Sequence, residues 1–384
     1  MATGGVANVL YTVSLRFPGL FAIGCIFFIF NLCLFLINCC MIITRFVLHP
    51  GCLRASLVHP TESLFVPAII VSVGLILLNI SQYGLLNVGH WLNTTVMIIF
   101  WIYAGIALLF SVGIYLEIWS TQTFTINEMT PIWIFPAYPL LVIGPHAGTL
   151  ATKLSSQRAL SILIGGWTLQ GIGFMVSLTI NAAFIYRLMT QKLPRGNLRP
   201  GMFVSVGPAG FTATGIISMS SAAGRTLPEN FLGDLSVTAP ILHVVGSFAG
   251  IWLWGLSLWF FFVSVGAHWS CVGPGKLDFT LTWYSFVFPN TALITATFAV
   301  AEAFDAYGLE IVGCIFTIAL VIAWFFVFAM MIRAIYLRQI LWPQKGDDRD
   351  EGGWKGQDIL SPSDNNGVRR RQADEEAIDP ETGN

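Results

Sequence analysis

Asp278 to Glu302 reads DFTLTWYSFVFPNTALITATFAVAE. The stretch is long enough to cross a hydrocarbon core, which takes roughly 20 predominantly apolar residues, yet Pro289 interrupts its middle with Phe288 directly before it. Proline removes a backbone donor and clashes with the preceding turn. In lipid, backbone groups freed in this way are tolerated only against protein or a water-filled cavity, so the segment is expected to face inward. At helical spacing Ser285, Phe288, Thr291, Thr295 and, across a kink, Glu302 fall on one face. Hydroxyls beside a bulky ring describe a polar path that can be closed.

Working outward, the whole chain has the same character. Its 384 residues are 55% hydrophobic and 10% charged, with a mean hydropathy of +0.73, whereas a soluble domain carries roughly 25% charged residues. This composition is that of a polytopic membrane protein. A net charge of −1 leaves no basic field for nucleic acid. The seven cysteines form no CxxC pair and fall mostly in apolar runs, so neither a disulfide framework nor a metal site is indicated. GxSxG, HExxH, a Walker loop and paired intramembrane acids are absent. The sequence points to no enzyme and calls for no cofactor.

Ten hydrophobic segments follow one another: Met1 to Ser14, Phe17 to Thr44, Leu64 to Leu86, Thr94 to Trp119, Pro131 to Ala151, Leu160 to Tyr186, Gly201 to Ala222, Thr238 to Gly266, the opening stretch, and Leu309 to Ile332. The first is too short to span: either the chain starts inside its first helix or that helix is a partial one. Segments three, five, seven and nine carry Pro67, Pro145, Pro208 and Pro289, while the even-numbered segments carry no interior proline. An alternation with a period of roughly 70 to 80 residues predicts a repeated helical hairpin, one kinked and one straight helix per unit. Kinked helices belong inside, where freed carbonyls meet protein or water. The expected fold is therefore an all-α integral membrane protein of ten transmembrane helices, kinked odd helices within and straight even ones without.

Connector charges orient it. Eleven Lys and Arg lie on one side (Arg45, Arg54, Arg187, Lys192, Arg195, Arg199, Lys276, Arg333, Arg338, Lys345, Arg349) and four on the other (Arg16, Lys153, Arg158, Arg225). The positive-inside rule puts both termini in the cytoplasm. The transmembrane domain is expected over 1–342. A charged tail over 343–384 cannot bury a core and is expected to be disordered.

Polar residues within spans are candidates for the solute path. His146 follows Pro145, with Thr149 three residues on; it can carry a proton or donate to an anion, or satisfy a carbonyl at a kink. Glu302, near the outer face, either tunes anion entry or caps its helix. His243, in an unbroken helix, reads as packing. In GPAGFTATG, Gly207 to Gly215, small residues permit close helix contact, and Thr212, Thr214 and Ser218 offer hydroxyls. Conduction needs donors that do not hold an anion too tightly, and hydroxyls with few fixed cations meet that condition.

Several motifs together resemble the tellurite-resistance/dicarboxylate transporter family, which includes slow-type anion channels, malate permeases and sulfite efflux pumps. They are ATGGV (Ala2 to Val6), HPTESLF (His59 to Phe65), GPHAG (Gly144 to Gly148), VGPAGFT (Val206 to Thr212) and WYSFVFP (Trp283 to Pro289). The resemblance implies five helical hairpins around a central pore and an aromatic gate. By motif match the gate is Phe288, with Phe286 as a nearby rival. It also implies a cytoplasmic leader before a complete first helix, a plasma-membrane location and a homotrimer. VGPAGFT looks closer to the malate/C4-dicarboxylate permeases, so the expected cargo is malate, carried as the monoanion or with protons. Sulfite efflux and chloride or nitrate conduction stand as alternatives of the same fold. A non-transporting receptor or scaffold is the alternative of another class.

Overall fold

The computed structural model describes residues 1–340 except 50, 52, 54–55, 57–59, 86–87, 122–124 and 270–278. The expected charged tail, His59, Asp278 and the connector cations Arg54, Lys276, Lys345 and Arg349 lie outside the described residues. Among the described residues there is no strand. The α-helices are α1 (Ala2–Thr12), α2 (Leu20–Leu48), α3 (Pro60–Phe65), α4 (Ala68–Asn79), α5 (His90–Thr121), α6 (Tyr138–Leu141), α7 (Ile143–Ala151), α8 (Ser156–Gln191), α9 (Val206–Thr226), α10 (Leu235–His268), α11 (Phe288–Ala303) and α12 (Tyr307–Tyr336). Among the described residues nine spans are long and apolar enough to cross a membrane; α1, with 11 residues, makes the tenth segment.

Burial separates the segments into two layers. In the most apolar window of each span, 94% of residues are buried in Pro131–Ala151, 89% in Leu198–Thr226 and 78% in Leu281–Ala303, against 17% to 33% in α2, α5, α8, α10 and α12. Residues Ala2 to Leu10 of α1 are all buried, and the span Glu62–Gly84 stands between the layers at 50%. The odd segments are thus inside and the even ones outside, as the alternation of prolines requires. The outer layer shows its large apolar side chains, among them Ile26, Leu109, Trp252 and Ile318, to the surroundings.

The inner helices close into a ring in sequence order, and each seam can be named. A Cβ on Gly5 of α1 would lie 2.9 Å from Thr291 Cγ2 on α11, and one on Gly210 of α9 would lie 2.7 Å from the Ala292 carbonyl carbon of α11. Gly215 of α9 meets Gly144 of α7 in the same way, 3.2 Å from its Cα. Ser81, in a π turn (Ile80–Gly84) that continues α4, sits 3.0 Å from His146 Nε2 on α7. Asn79 Nδ2 and Tyr83 OH donate to the Gly4 and Ala7 carbonyls of α1 at 3.0 and 2.7 Å. The circuit α1, α4, α7, α9, α11 then returns to α1.

The prolines do not kink continuous helices, which corrects the sequence expectation. Three inner spans begin as 3₁₀ helix, at Pro131–Ala137, Gly196–Ser205 and Leu281–Phe286, and turn α-helical beyond it. Pro145 and Pro208 are the third residues of α7 and α9, Pro289 is the second of α11, and Pro67 separates α3 from α4. In the first turn of a helix an N–H has no intrahelical partner, so proline there forfeits nothing. A second correction concerns the eighth segment, whose helix begins at Leu235 and so takes Pro240 inside it.

Freed carbonyls at these breaks are met from the outer layer. Tyr103 and Tyr115 of α5 donate to the Pro139 and Trp133 carbonyls at 2.8 and 3.0 Å. Ser257 of α10 donates to the Val206 carbonyl at 2.8 Å. Hydroxyls of straight helices thus replace the water or lipid that irregular backbone cannot use in a bilayer.

Candidate functional site

Phe288 opens α11 and is 1% exposed. Its ring lies 5.6 Å from that of Tyr138 on α6 and 5.7 Å from that of Phe211 on α9. Tyr138 and Phe211 face each other edge-on at 6.5 Å. Phe135 stacks on Tyr138 at 5.1 Å, and Phe65 of α3 leans on Phe135 at 5.6 Å. Rings from four of the five inner segments therefore fill one level of the ring of helices. Tyr138 OH donates to the Val204 carbonyl, which ties two of those segments together at this level. Phe286 packs elsewhere, against Phe203 and His268 at 5.4 and 5.2 Å.

α6 and α11 begin at these rings, with Tyr138 and Phe288 as their first residues, and α9 begins beside them, its Gly207 against Tyr138 OH; α7 begins further along, its Gly144 against Gly215 of α9. Helix N-termini carry unpaired N–H groups and the positive end of the backbone dipole. No Lys or Arg occurs in α1, α4, α6, α7 or α11, and in α9 only Arg225, in the last turn. No Lys or Arg of these helices therefore stands at the rings.

The sequence-selected hydroxyls lie on the inner helices, where each has a carbonyl one turn back within bonding distance and Thr214 or Thr295 can instead donate to the other. Thr291 donates to the Phe288 carbonyl (2.6 Å), Thr295 to Ala292 (3.1 Å), Thr212 to Pro208 (2.6 Å), Thr214 to Gly210 (3.1 Å) and Thr149 to Pro145 (3.0 Å). This is the usual bonding of Ser and Thr to carbonyls one turn back. Thr214 and Thr295 meet across the α9–α11 seam, Oγ1 to Oγ1 at 3.2 Å.

Two candidates stand apart from this group. Ser285 belongs to the 3₁₀ stretch before the break, half-buried and out of helical register with Thr291 and Thr295. Glu302 is exposed at the far end of α11. The single helical face expected from Ser285 to Glu302 therefore holds from Phe288 through Thr295 to Glu302 along the unbroken α11 and excludes Ser285, because the change of helix type before Phe288 resets the register. His146 is 1% exposed, bonded through Nε2 to Ser81, with its ring 5.3 Å from Phe100. Among the described residues His146 Nδ1 has no hydrogen-bond partner.

Sequence reasoning passed over Tyr138, which sits between Pro136 and Pro139 and reads as part of a breaker cluster. It also passed over Gln170, on a helix read as plainly peripheral. Gln170 is 1% exposed, accepts the Gly144 N–H at 2.9 Å and donates to Thr212 Oγ1 at 2.8 Å. An amide, Gln170, flanked at one turn by Gly166 and Gly173 in a long apolar span was the available signal.

A ring of inner helices, breaks held by an outer layer and rings that fill the middle define an all-α membrane protein built in two layers. The voltage-dependent anion channel family matches residues 1–332, and the chain belongs to that family. It is 29% identical over 367 residues to the malic acid transport protein of Schizosaccharomyces pombe, covering 94% of this chain and 83% of that one. It is 26% identical over 336 residues to a sulfite efflux pump of Arthroderma benhamiae, covering 86% and 88%. It is also 28% identical over 321 residues to an uncharacterized transporter of Methanocaldococcus jannaschii, covering 82% and 85%. Family and relatives are transport proteins.

Proposed function

We propose that the chain carries small organic anions, malate and related C4-dicarboxylates first among them, through the middle of the inner ring, with Phe288 as the gate. One observation carries this reading: Tyr138, Phe211 and Phe288, from three inner segments, meet where α6, α9 and α11 begin. A site that attracts anions by backbone dipoles and is closed by rings suits a passing carboxylate. The malic acid transport protein among the relatives supports the choice of cargo. Thr149, Thr214, Thr291 and Thr295 line the path in this reading, Thr212 stands behind it with its oxygen turned to Gln170 of α8, and His146 is the proton carrier if transport is proton-coupled. The protein works in the plasma membrane with both termini cytoplasmic, as a homotrimer.

The test is flux of labelled malate into liposomes holding the purified protein, with sulfite, chloride and nitrate compared in parallel. Malate is expected to pass fastest, and Phe288→Ala to raise basal flux per folded molecule. Sulfite is the second reading, favoured by the relative named a sulfite efflux pump. Flux of no anion would leave a receptor or scaffold.

A further inference from the structure

The outer helices touch the inner ring through several polar side chains, and most of these fasten one inner helix. Tyr103, Ser257 and Trp254 bond to Pro139, Val206 and Thr297 respectively. Gln170 fastens two. Its Oε1 accepts the N–H of Gly144, a first-turn donor of α7 with no partner inside its own helix. Its Nε2 donates to Thr212 Oγ1, whose own proton goes to the Pro208 carbonyl in the first turn of α9. One amide thus joins the two turns that contain Pro145 and Pro208. The donor at Gly144 also fixes which end of the amide is oxygen.

Packing brings α8 close enough for that reach. Gly166 and Gly173 lie one turn to either side of Gln170; a Cβ on the first would fall 2.6 Å from Ala147 Cβ, and on the second 2.8 Å from Leu140 Cβ. There is no slack at the amide either, because a Cβ on Gly144 would sit 2.7 Å from Gln170 Oε1. From Thr212 the next residue back is Phe211, whose ring packs on both Phe288 and Tyr138. Tyr138 in turn lies on α6, directly before α7. The two rings that hold Phe288 therefore stand on the two pieces of backbone that Gln170 ties together.

We propose that Gln170 is a positioning residue for the gate: by bridging Gly144 and Thr212 it keeps Tyr138 and Phe211 in register around Phe288 and so favours the closed passage. The inference rests on the reading of Phe288 as the gate. Gln170 touches the ring-bearing helices without touching the permeant, so its loss changes how often the passage opens and leaves the ranking of anions unchanged. Losing the bridge is expected to raise basal flux about five-fold, which corresponds to about 1 kcal/mol.

The experiment measures malate and sulfite flux per folded protein in liposomes for Gln170→Leu, Thr212→Val, Phe288→Ala and the double variants. Gln170→Leu and Thr212→Val are each expected to raise basal flux, and together to raise it no further. Gln170→Leu added to Phe288→Ala is expected to have no further effect, since the rings it positions then have nothing to hold. A structural role alone predicts the opposite pattern, with lower thermal stability in every background and unchanged basal flux. If Phe288→Ala raises flux while Gln170→Leu and Thr212→Val do not, or if the double variant multiplies the single effects, the inference is overturned and the gate stands. If Phe288→Ala leaves flux unchanged, the gate reading falls and this inference with it.

Discussion

Thr291 and Thr295 illustrate how little a residue type says about what a solute meets. Both hydroxyls donate to carbonyls of their own helix, so each must give up a local bond before it can donate to an anion. His146 poses a sharper question, because one ring nitrogen is bonded to Ser81 and the other has no hydrogen-bond partner among the described residues, inside a closely packed ring of helices. His146→Gln keeps a side chain able to bond Ser81 but cannot titrate. If the imidazole relays protons, malate flux persists in this variant and its dependence on a proton gradient disappears; flux that stays gradient-driven would rule the relay out. At the surface, hydrogen bonds from the Ser236 hydroxyl and backbone N–H hold the Asp234 carboxyl below the usual carboxylate range. Such a depressed group contributes its capping above its unfolded pKa and loses it as pH falls through the folded one. Amide exchange at the start of α10 should therefore quicken in strong acid, and Asp234→Asn, which still caps, should remove that pH dependence.

At the scale of elements, the seams of the inner ring are set by residues without side chains. Gly210→Val would drive a branched side chain into the α11 backbone, where even a Cβ sits 2.7 Å from the Ala292 carbonyl carbon. Overpacking of this kind costs about 1–3 kcal/mol, and a lowered thermal unfolding midpoint in detergent would register it. The division into inner and outer helices was legible in the sequence, because proline is tolerated in a bilayer only where backbone is otherwise satisfied, and Pro67, Pro145, Pro208 and Pro289 marked the odd segments. The form of the break was not. Choosing 3₁₀ over α for Gly196–Ser205 depends on how neighbouring segments pack, as Tyr138 does by donating to the Val204 carbonyl, and no local pattern encodes that partner. Phe288 was legible through its proline, whereas Tyr138 and Phe211 became its partners only when three distant segments met. Gln170 was hidden for the same reason, since a single amide gains meaning from the two turns it joins.

For the whole molecule, the inner helices follow one another around the ring in chain order, so each hairpin adds one inner and one outer helix to its predecessor. The connector charges then predict sidedness for all of them at once. Cysteines introduced beside Lys153 and Arg225 should react with an impermeant thiol reagent applied outside intact cells, and one beside Arg195 only after permeabilisation; the reverse pattern would invert the proposed topology. The 3₁₀ stretches add a mechanical property to this assembly. A 3₁₀ helix advances about 2.0 Å and 120° per residue and an α-helix about 1.5 Å and 100°. Rewinding the ten residues of Gly196–Ser205 would shorten that stretch by about 5 Å and spin its end by roughly half a revolution. The segment bearing Phe211 is in that sense mounted on a screw thread, and a few residues of rewinding would swing its ring around the helix axis without moving the helix sideways.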